Sequence, residues 1–361
     1  MKKFVVFALI LSMALSLIGC GSTSETTDTP EEPADSVAES TGGGETFADG
    51  PTFNLVFCHG SSPDTPVDQW ANQFKENIEE VSGGKITVDI YPSNQLGSER
   101  ELTEGVQVGT YDIYGTSPIS TLSFIPALEV LNVPYMFTGY DADTIDQALN
   151  HSAFTDMIEA EYEENNFILL GGFQQGATYR NITSSKKIET IDDFQGLKLR
   201  VTENPLMLQY WTDVGASPTA VTFNELYMSL QQGVVEAQEN PFDITYLGNF
   251  FDVQEYLVIS NHILHINHLF MNKDKFESMP EAYQEAVQQA ATDARITVTE
   301  QMVEMIDTYH QQLIDEGLTE IVLSDDVISE MSDRAATVEQ MVKDSVGEEL
   351  YNTLVSALGE G

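Results

Sequence analysis

Two arginines, Arg180 and Arg200, are the side chains of this chain best suited to bind a small anion. They lie twenty residues apart, and only five arginines occur among 361 residues. A planar guanidinium donates two parallel hydrogen bonds to a carboxylate, whereas a lysine supplies only a point charge. The pair therefore predicts a carboxylate-binding site. An ordinary surface position for either arginine is the alternative.

A predicted strand positions Arg200. In the segment Gly196–Val201, three apolar residues alternate with Lys198 and Arg200, and this period of two is typical of a strand. One face of the strand should pack inward, and we expect Arg200 at an open edge. Arg180 lies in an extended, threonine-rich segment, Thr178–Thr183.

Four further residues are candidate ligand contacts. Asn240 precedes Pro241, and a residue before proline is restricted to extended geometry, so its amide could donate to a carboxylate or accept from a hydroxyl. A turn that caps the next helix is the alternative. Phe223 precedes a predicted helix and would line a pocket or pack in the core. His59 and Ser117 each follow a predicted strand.

The segments that carry these residues alternate between strand and helix patterns, which predicts an α/β fold. Strands are expected at residues 53–58, 85–91, 111–115, 167–173, around 188, 197–201 and 234–237, and helices at 66–81, 98–108, 204–214 and 224–232. A longer helical pattern runs from Pro280 to about Asp315 without internal glycine or proline. At 1.5 Å per residue it would be ~50 Å long, so we expect it to lean across two domains.

The chain is strongly acidic, with 58 Asp and Glu against 15 Lys and Arg and a formal net charge of −43. This charge excludes nucleic acid as a partner. A carboxylate ligand would have to be bound by a polyanion. Surface charge is screened over about 8 Å at physiological ionic strength, whereas an arginine in a water-poor cleft acts at ~2.8 Å. We therefore expect the local geometry of the arginine site, rather than the net charge of the protein, to determine whether a carboxylate binds.

The N-terminal segment predicts export and lipid anchoring. Residues 1–19 contain two lysines and an apolar stretch from Phe4 to Leu17, and Cys20 follows a lipoprotein-type cleavage box. We interpret 1–19 as a signal peptide and Cys20 as the lipid-bearing residue; an uncleaved signal anchor is the alternative. Residues 20–50 are predicted to be a disordered acidic tether. The protein would then sit on the extracytoplasmic face of the cell membrane.

Three histidines, His262, His265 and His268, form an H-x-x-H-x-x-H run that suggests a metal site. Their apolar neighbours predict a strand, where residues three apart face opposite ways, so only His262 and His268 could share a face. No cysteine or second carboxylate cluster joins them in the sequence, and zinc is the weaker interpretation. No G-x-S-x-G, H-E-x-x-H or phosphate-loop motif is present, so neither an enzyme nor a cofactor is predicted.

The order of these motifs resembles the extracytoplasmic solute receptors of TRAP transporters, the C4-dicarboxylate receptor family. The resemblance is carried by residues 196–241, which begin GLKLRV and end QENP. It continues in GGKITVDIYPSNQLGSERELTEGVQVGTYDI from Gly83, ALEVLNVPYMF from Ala127, TYRNITSSKKIETIDDFQGLKLRV from Thr178 and VQEYLVISNHI from Val253. It spans roughly residues 53 to 345.

The resemblance implies a two-lobed, periplasmic-binding-protein-like fold with a ligand cleft between the lobes and a long bridging helix. Lobe I would comprise residues 51–176 with about 264–300, and lobe II residues 177–263 with about 301–361. Arg200 would clamp a substrate carboxylate, Arg180 would assist, and Asn240 and Phe223 would line the pocket.

The partners implied are a small organic acid and an integral-membrane TRAP permease. A receptor for an ATP-driven transporter and a metal-binding lipoprotein that uses the histidine run are the alternatives.

Overall fold

The computed structural model describes residues 47–359, and for residues 175–177 and 303 the backbone alone. The predicted signal peptide, Cys20 and most of the predicted tether lie outside this part of the chain. Among the described residues, no helix combines the length and apolar character needed to cross a membrane.

Nine strands of the described part form a single mixed sheet. The strands are β1 (Phe53–His59), β2 (Ile86–Tyr91), β3 (Ile113–Thr116), β4 (Phe167–Ser184), β5 (Lys198–Val201), β6 (Ser217–Ala220), β7 (Ala237–Asn240), β8 (Tyr256–Asn272) and β9 (Thr319–Val322). Their order is β2-β1-β3-β8-β4-β7-β5-β6, and β9 pairs with β8.

The sheet contains two parallel groups. In the first strand group, β1 pairs in parallel with β2 and β3; in the second, β5 pairs in parallel with β6 and β7. The long strands β4 and β8 pair with each other in antiparallel fashion and join the two groups through β3 and β7. This arrangement agrees with the expected α/β fold of two lobes, each with its own parallel strands.

The helices begin where the sequence supplies caps. They are α1 (Pro66–Val81), α2 (Glu99–Gln107), α3 (Ala142–Asn150), α4 (Ala153–Glu164), α5 (Pro205–Val214), α6 (Phe223–Gln231), α7 (Phe242–Leu247), α8 (Lys273–Glu277), α9 (Glu281–Asp315), α10 (Asp325–Asp333), α11 (Ala336–Val346) and α12 (Glu348–Gly359). The side chains of Thr65, Ser98 and Asn204 accept backbone N–H groups at the starts of α1, α2 and α5. Such caps satisfy donors that a helix leaves free, and the predicted starts agree to within one residue.

The long helix α9 packs against elements of both halves of the sheet. Near its middle, the indole N–H of Trp70 in α1 donates to the Ala291 carbonyl at 2.9 Å. Near its end, His310 stacks on Phe242 of α7, and Leu313 is buried with residues from β8 and the segment before β9. The predicted helix from Pro280 to Asp315 is therefore present, and it contacts elements next to both strand groups.

The C-terminal helices also contact both halves. Arg334 donates from Nη1 to the carbonyls of Asp213 and Val214 at the end of α5, each at 2.9 Å. The last helix, α12, packs against α3 and α4. The described part of residues 301–361, the segment assigned to lobe II from the sequence, thus lies against helices of both predicted lobes.

Three local expectations from the sequence were wrong. Ile188 is buried but lies in the loop between β4 and a short 3-10 helix, Ile191–Phe194, rather than in a strand. The strand expected at 234–237 begins at Ala237, because Gly233 (φ +68°) closes the preceding turn. The open edge expected for Arg200 is absent, because β5 is flanked by β6 and β7 and Arg200 is only 1% exposed.

The long pair β4–β8 is interrupted by shifts in register. One shift lies at Gly171 and Gly172, whose φ angles are +68° and +81°, a region that glycine occupies without strain. Another lies opposite Ser260 and Asn261, whose backbone N–H groups both donate to the Asn181 side chain. Extra residues at such bulges bend a strand and increase its twist, so the pair is bent within its length.

Gly171 should be indispensable to the packing of α9. A Cβ atom there would lie 2.6 Å from the Ala291 carbonyl carbon, so Gly171→Ala combines left-handed strain with backbone overlap. We expect it to lower the free energy of unfolding by about 3 kcal/mol in urea titrations. Gly196→Ala is the matched control, since Gly196 has φ +71° and a Cβ atom added there would meet no atom within 4 Å; it should cost only about 1 kcal/mol. Equal losses of stability in the two variants would show that a Cβ atom at position 171 does not overlap with the backbone of Ala291.

Candidate functional site

A crevice lies where the carboxyl ends of parallel strands from both groups meet. It encloses about 570 Å³ of space not filled by atoms, part of it open to solvent. The first strand group contributes residues just after β1 and β3, and the second contributes residues at or after the ends of β5 and β7. Ligands of open α/β sheets bind at this edge because loops and unpaired backbone groups converge there. The lining residues are Gly60, Ser61, Ser62, Thr65, Glu99, Thr116, Ser117, Ile119, Ser120, Arg180, Arg200, Thr202, Phe223, Asn240, Ile244, His265 and Asn267.

Arg200 is a buried cation, and one of its nitrogens has no hydrogen-bond partner among the described residues. Its Nε donates to the Val221 carbonyl at 2.9 Å, which fixes the plane of the guanidinium. Its Nη1 is buried and has no hydrogen-bond partner among the described residues. Burial lowers the pKa of Arg200 to about 10, although Glu99 and Glu239 oppose that shift. The side chain is therefore charged at neutral pH and lacks an acceptor for one nitrogen.

Arg180 is held by a buried carboxylate. Its Nε donates to Glu239 Oε2 at 2.5 Å, and its Nη2 donates to Glu239 Oε1 at 3.1 Å and to the Glu239 carbonyl at 2.7 Å. Burial would raise the pKa of Glu239, but Arg180 and His262 outweigh that effect and hold the pKa at about 2. The pair is therefore ionised at neutral pH, and the charge of Arg180 is compensated within the protein.

Asn240 lies between this ion pair and the crevice. Its Oδ1 accepts from Arg180 Nη2 at 3.0 Å, and its Nδ2 donates to Gln238 Oε1 at 2.5 Å. The predicted extended geometry before Pro241 is present, since Asn240 is the last residue of β7. The amide is thereby fixed in orientation at the crevice wall.

Phe223 and Ser117 line the crevice from opposite strand groups. Phe223 is the first residue of α6 and packs edge to face on Phe250, with ring centroids 6.0 Å apart. Ser117 follows β3 and precedes a short 3-10 helix, Pro118–Ser120. Both positions place the side chain where a bound molecule would contact it.

His59 is close to the crevice but does not line it. Its ring is fully buried, and Nε2 lies 3.1 Å from Asp68 Oδ1 in α1. The next residue, Gly60, forms the wall instead. Of the six ligand contacts predicted from the sequence, the crevice brings together Arg200, Arg180, Asn240, Phe223 and Ser117 but not His59. Contact with a ligand stays a prediction for all six.

Reasoning from the sequence missed residues of this wall, among them Glu99 and His265, and the residue Glu239 that holds Arg180. Glu99 is the first residue of α2, and nothing distinguished it among 58 acids. Glu239 stands directly before Asn240 in the QENP segment, and the adjacent arginine of β4 could have suggested a buried counterion. His265 lines the crevice with an unpartnered Nδ1, but its place in the histidine run drew attention to metals.

The three histidines of the run have separate surroundings. His262 lies 3.2 Å from Glu239 and 2.9 Å from Ser260. His265 lines the crevice, and His268 forms a hydrogen bond with the Tyr162 hydroxyl. Burial lowers the pKa of both His265 and His268 to about 3. Within residues 47–359, no three His, Cys, Asp or Glu side chains are grouped so that they could hold a metal ion.

Comparisons with known proteins agree on one family. Residues 57–344 match the model of the DctP family, described as bacterial extracellular solute-binding protein, family 7. A solute-binding protein of Roseobacter denitrificans is 32% identical over 62% of this chain and 68% of its own. The ectoine-binding periplasmic protein TeaA of Halomonas elongata is 28% identical over 82% of this chain and 86% of its own.

Solved structures show the same fold. The periplasmic ectoine-binding protein of the TeaABC TRAP transporter of Halomonas elongata superposes with a TM-score of 0.80 at 27% identity, covering 85% of this chain and 100% of that one. A TRAP periplasmic solute-binding protein of Roseobacter denitrificans with bound L-galactonate gives 0.77 at 27% identity, covering 86% and 99%. The two-lobed α/β architecture expected from the sequence is confirmed.

The buried state of His268 should make stability depend on pH. The folded protein holds the pKa of this ring at about 3, against 6.5 for an unperturbed histidine, so only the unfolded chain takes up the proton between those values. Stability is therefore lost as the pH falls below 6.5, by ~1.4 kcal/mol per pH unit from this residue. His268→Phe should reduce the pH slope by that amount in urea titrations from pH 7 to pH 4.

The exposed His151 provides the control, because His151→Phe leaves the buried ring in place and should keep the original slope. Identical slopes for the two variants would contradict a neutral, buried His268.

Proposed function

Because this chain belongs to family 7 of the bacterial extracellular solute-binding proteins, whose members are receptors of TRAP transporters, we propose that it captures a small organic acid in the crevice around Arg200. It would deliver that acid to an integral-membrane TRAP permease. Members of this family are binding proteins rather than enzymes.

The observation that carries this proposal is the buried guanidinium of Arg200, whose Nη1 has no hydrogen-bond partner among the described residues. A buried arginine with an unpartnered Nη1 is costly in the absence of an acceptor, and a ligand carboxylate supplies both the acceptor and the opposite charge. Two charge-assisted hydrogen bonds would contribute about 1.5 to 3 kcal/mol each. That is roughly half of the ~8 kcal/mol that micromolar affinity requires.

The remaining contacts would orient the ligand. Arg180 is fixed by Glu239 and fixes Asn240 in turn, so both present polar atoms at set positions. Phe223 would cover one side of the ligand, and Ser117 would donate or accept a hydrogen bond from the opposite strand group. His59 would act indirectly, through the backbone of Gly60 beside it.

Closure of the lobes would complete the site. Asn94 Nδ2, in the loop after β2, donates to Asn224 Oδ1 in α6 at 3.3 Å, a hydrogen bond that joins the two halves beside the crevice. We place the lobe division within β4 near residue 176 and within β8 near residue 264. Gln175 pairs with Ile266 and Tyr179 with Leu264, so both limits fall at the same level of the sheet.

The permease would recognise the closed form, and this chain would remain at the membrane through a lipid on Cys20. Family membership favours a TRAP permease over an ATP-driven transporter.

Substitution of Arg200 tests the receptor function. In calorimetric titrations with a panel of organic acids, we expect Arg200→Lys to weaken binding of the best acid by about tenfold, because the planar fork is lost. Arg200→Ala should weaken it by more than about 100-fold, because two charge-assisted hydrogen bonds disappear. Lys198→Ala, an exposed cation on the same strand, should leave affinity unchanged. Unaltered binding by Arg200→Ala would disprove the clamp.

Substitution of Cys20 tests the anchor. In cells fed labelled fatty acid, the unmodified chain should incorporate label and sediment with membranes, whereas Cys20→Ser should do neither, since the thiol is the acylation site. Cys58→Ser is the control and should stay labelled, because Cys58 is buried in the fold. An unlabelled wild-type chain in the membrane fraction would indicate an uncleaved signal anchor instead.

A further inference from the structure

A second cavity adjoins the crevice and shares Arg200 with it. This outer cavity encloses about 860 Å³ of space not filled by atoms, part of it open to solvent. It lies between the loop after β2, the start of α2 and the start of α6. Glu99, Arg200, Thr202 and Phe223 line both spaces. The outer cavity therefore offers a route from solvent to the side of the crevice that Arg200 forms.

The outer cavity brings together the two arginines that lack an ion pair. Arg180, Arg295 and Arg334 each form an ion pair with a carboxylate. Within the described part of the chain, Arg100 and Arg200 have no carboxylate at ion-pair distance, and both line the outer cavity. The chain has 58 Asp and Glu against 15 Lys and Arg, so acidic partners are abundant. The positive charge at this one place is left available to an external anion.

Helix stability does not account for Arg100. It is the second residue of α2 and lies between Glu99 and Glu101 in the first turn. A positive charge is unfavourable there, because the free N–H groups already make a helix N-terminus positive. The side chain is nevertheless held in place, since Nη1 lies 3.5 Å from Ser123 Oγ and the guanidinium lies 5.6 Å from the centroid of the Phe124 ring. The fold thus positions an exposed cation at the outer cavity.

The surroundings of Arg100 would otherwise repel an anion. Glu99 and Glu203 line the outer cavity, and Glu203 is exposed. Burial raises the pKa of Glu99, and the whole chain has a formal net charge of −43. Charges at the rim of a site act chiefly on the association rate and on its dependence on salt. Arg100 offsets the charge of Glu203 at the entrance whether or not Glu99 is ionised.

We propose that the outer cavity is the entrance through which an organic anion reaches Arg200, and that Arg100 steers the anion into it. This inference rests on the proposed function, since Arg200 is the residue assigned to the carboxylate. Arg100 lines the outer cavity and not the crevice, so it does not contact the bound acid. Arg100 therefore sets the rate of capture, whereas Arg200 sets the strength of binding.

Quenching by iodide measures the attraction of anions to the entrance without any bound acid. A fluorophore is attached to Ala220→Cys, an exposed position of the outer cavity, in the full chain carrying Cys20→Ser; Cys58 is buried. At about 10 mM ionic strength the Debye length is about 30 Å. Arg100→Gln should then lower the Stern–Volmer constant for iodide about twofold, and Arg100→Glu about fourfold. The neutral quencher acrylamide should act equally on all three proteins.

The matched control is Lys187→Gln, which removes the same charge from an exposed position that lines neither cavity. It should leave quenching by iodide unchanged. Equal effects of Arg100→Gln and Lys187→Gln would attribute the attraction to net charge and overturn the steering role. An iodide constant unaltered in Arg100→Glu would overturn it as well.

Stopped-flow binding of the tightest acid from the calorimetric panel tests the consequence for capture. At about 10 mM ionic strength, Arg100→Gln should lower the association rate constant about threefold and leave the dissociation rate constant unchanged. At about 0.5 M salt, where the charge is screened, the variant and the unmodified chain should associate at equal rates. Faster dissociation with unaltered association would place Arg100 against the bound acid and overturn the steering role. If no acid binds, the receptor function fails, and iodide quenching still decides whether Arg100 attracts anions.

Discussion

A buried guanidinium that lacks part of its acceptor complement is the constraint around which the crevice is built. Arg200 is held by one backbone carbonyl and leaves Nη1 unpartnered at 1% exposure. Such an arrangement persists only if the surrounding fold enforces it. Here the Val221 carbonyl, just after β6, accepts a hydrogen bond from Nε, and the Arg200 side chain is almost completely shielded from water. The fold thus maintains a buried charge whose Nη1 has no hydrogen-bond acceptor among the described residues.

The neighbouring arginine, Arg180, is instead paired directly with a carboxylate of the protein. Arg180 meets Glu239 in a buried ion pair that Asn240 and His262 extend. A pair of this kind contributes little net stability, but it fixes geometry, because each member has its donors or acceptors engaged. In the proposed receptor, Arg200 would recognise the charge of the ligand, whereas Arg180 holds the amide of Asn240 in place. The two arginines differ because Arg180 forms a direct ion pair with a carboxylate, whereas Arg200 has no carboxylate within ion-pair distance among the described residues.

Much of the fold could be predicted from local patterns, and the limits of that prediction have physical causes. Helices with caps, such as α1 and α5, and the long α9 agree closely because capping and apolar periodicity act within a few residues. The edge position of Arg200 was wrong because strand order depends on contacts distant in sequence. Glu99 could not be singled out, since its distinction is a position opposite Arg200 that only the tertiary structure creates. Residue types in the sequence identified five side chains that line one crevice. They could not show which of the two arginines was paired with a carboxylate of the protein.

The interrupted pairing of β4 and β8 has a mechanical consequence. Arg180 lies between two of the register shifts, one before Tyr179 and one before Ile182. A bulge leaves a residue unpaired and locally disrupts the ladder of hydrogen bonds between two strands. A change in the angle between the halves would concentrate there and would carry the guanidinium of Arg180 with it. In the proposed receptor, rotation of one half of the sheet against the other would therefore shift the Arg180 side chain together with the wall of the anion site.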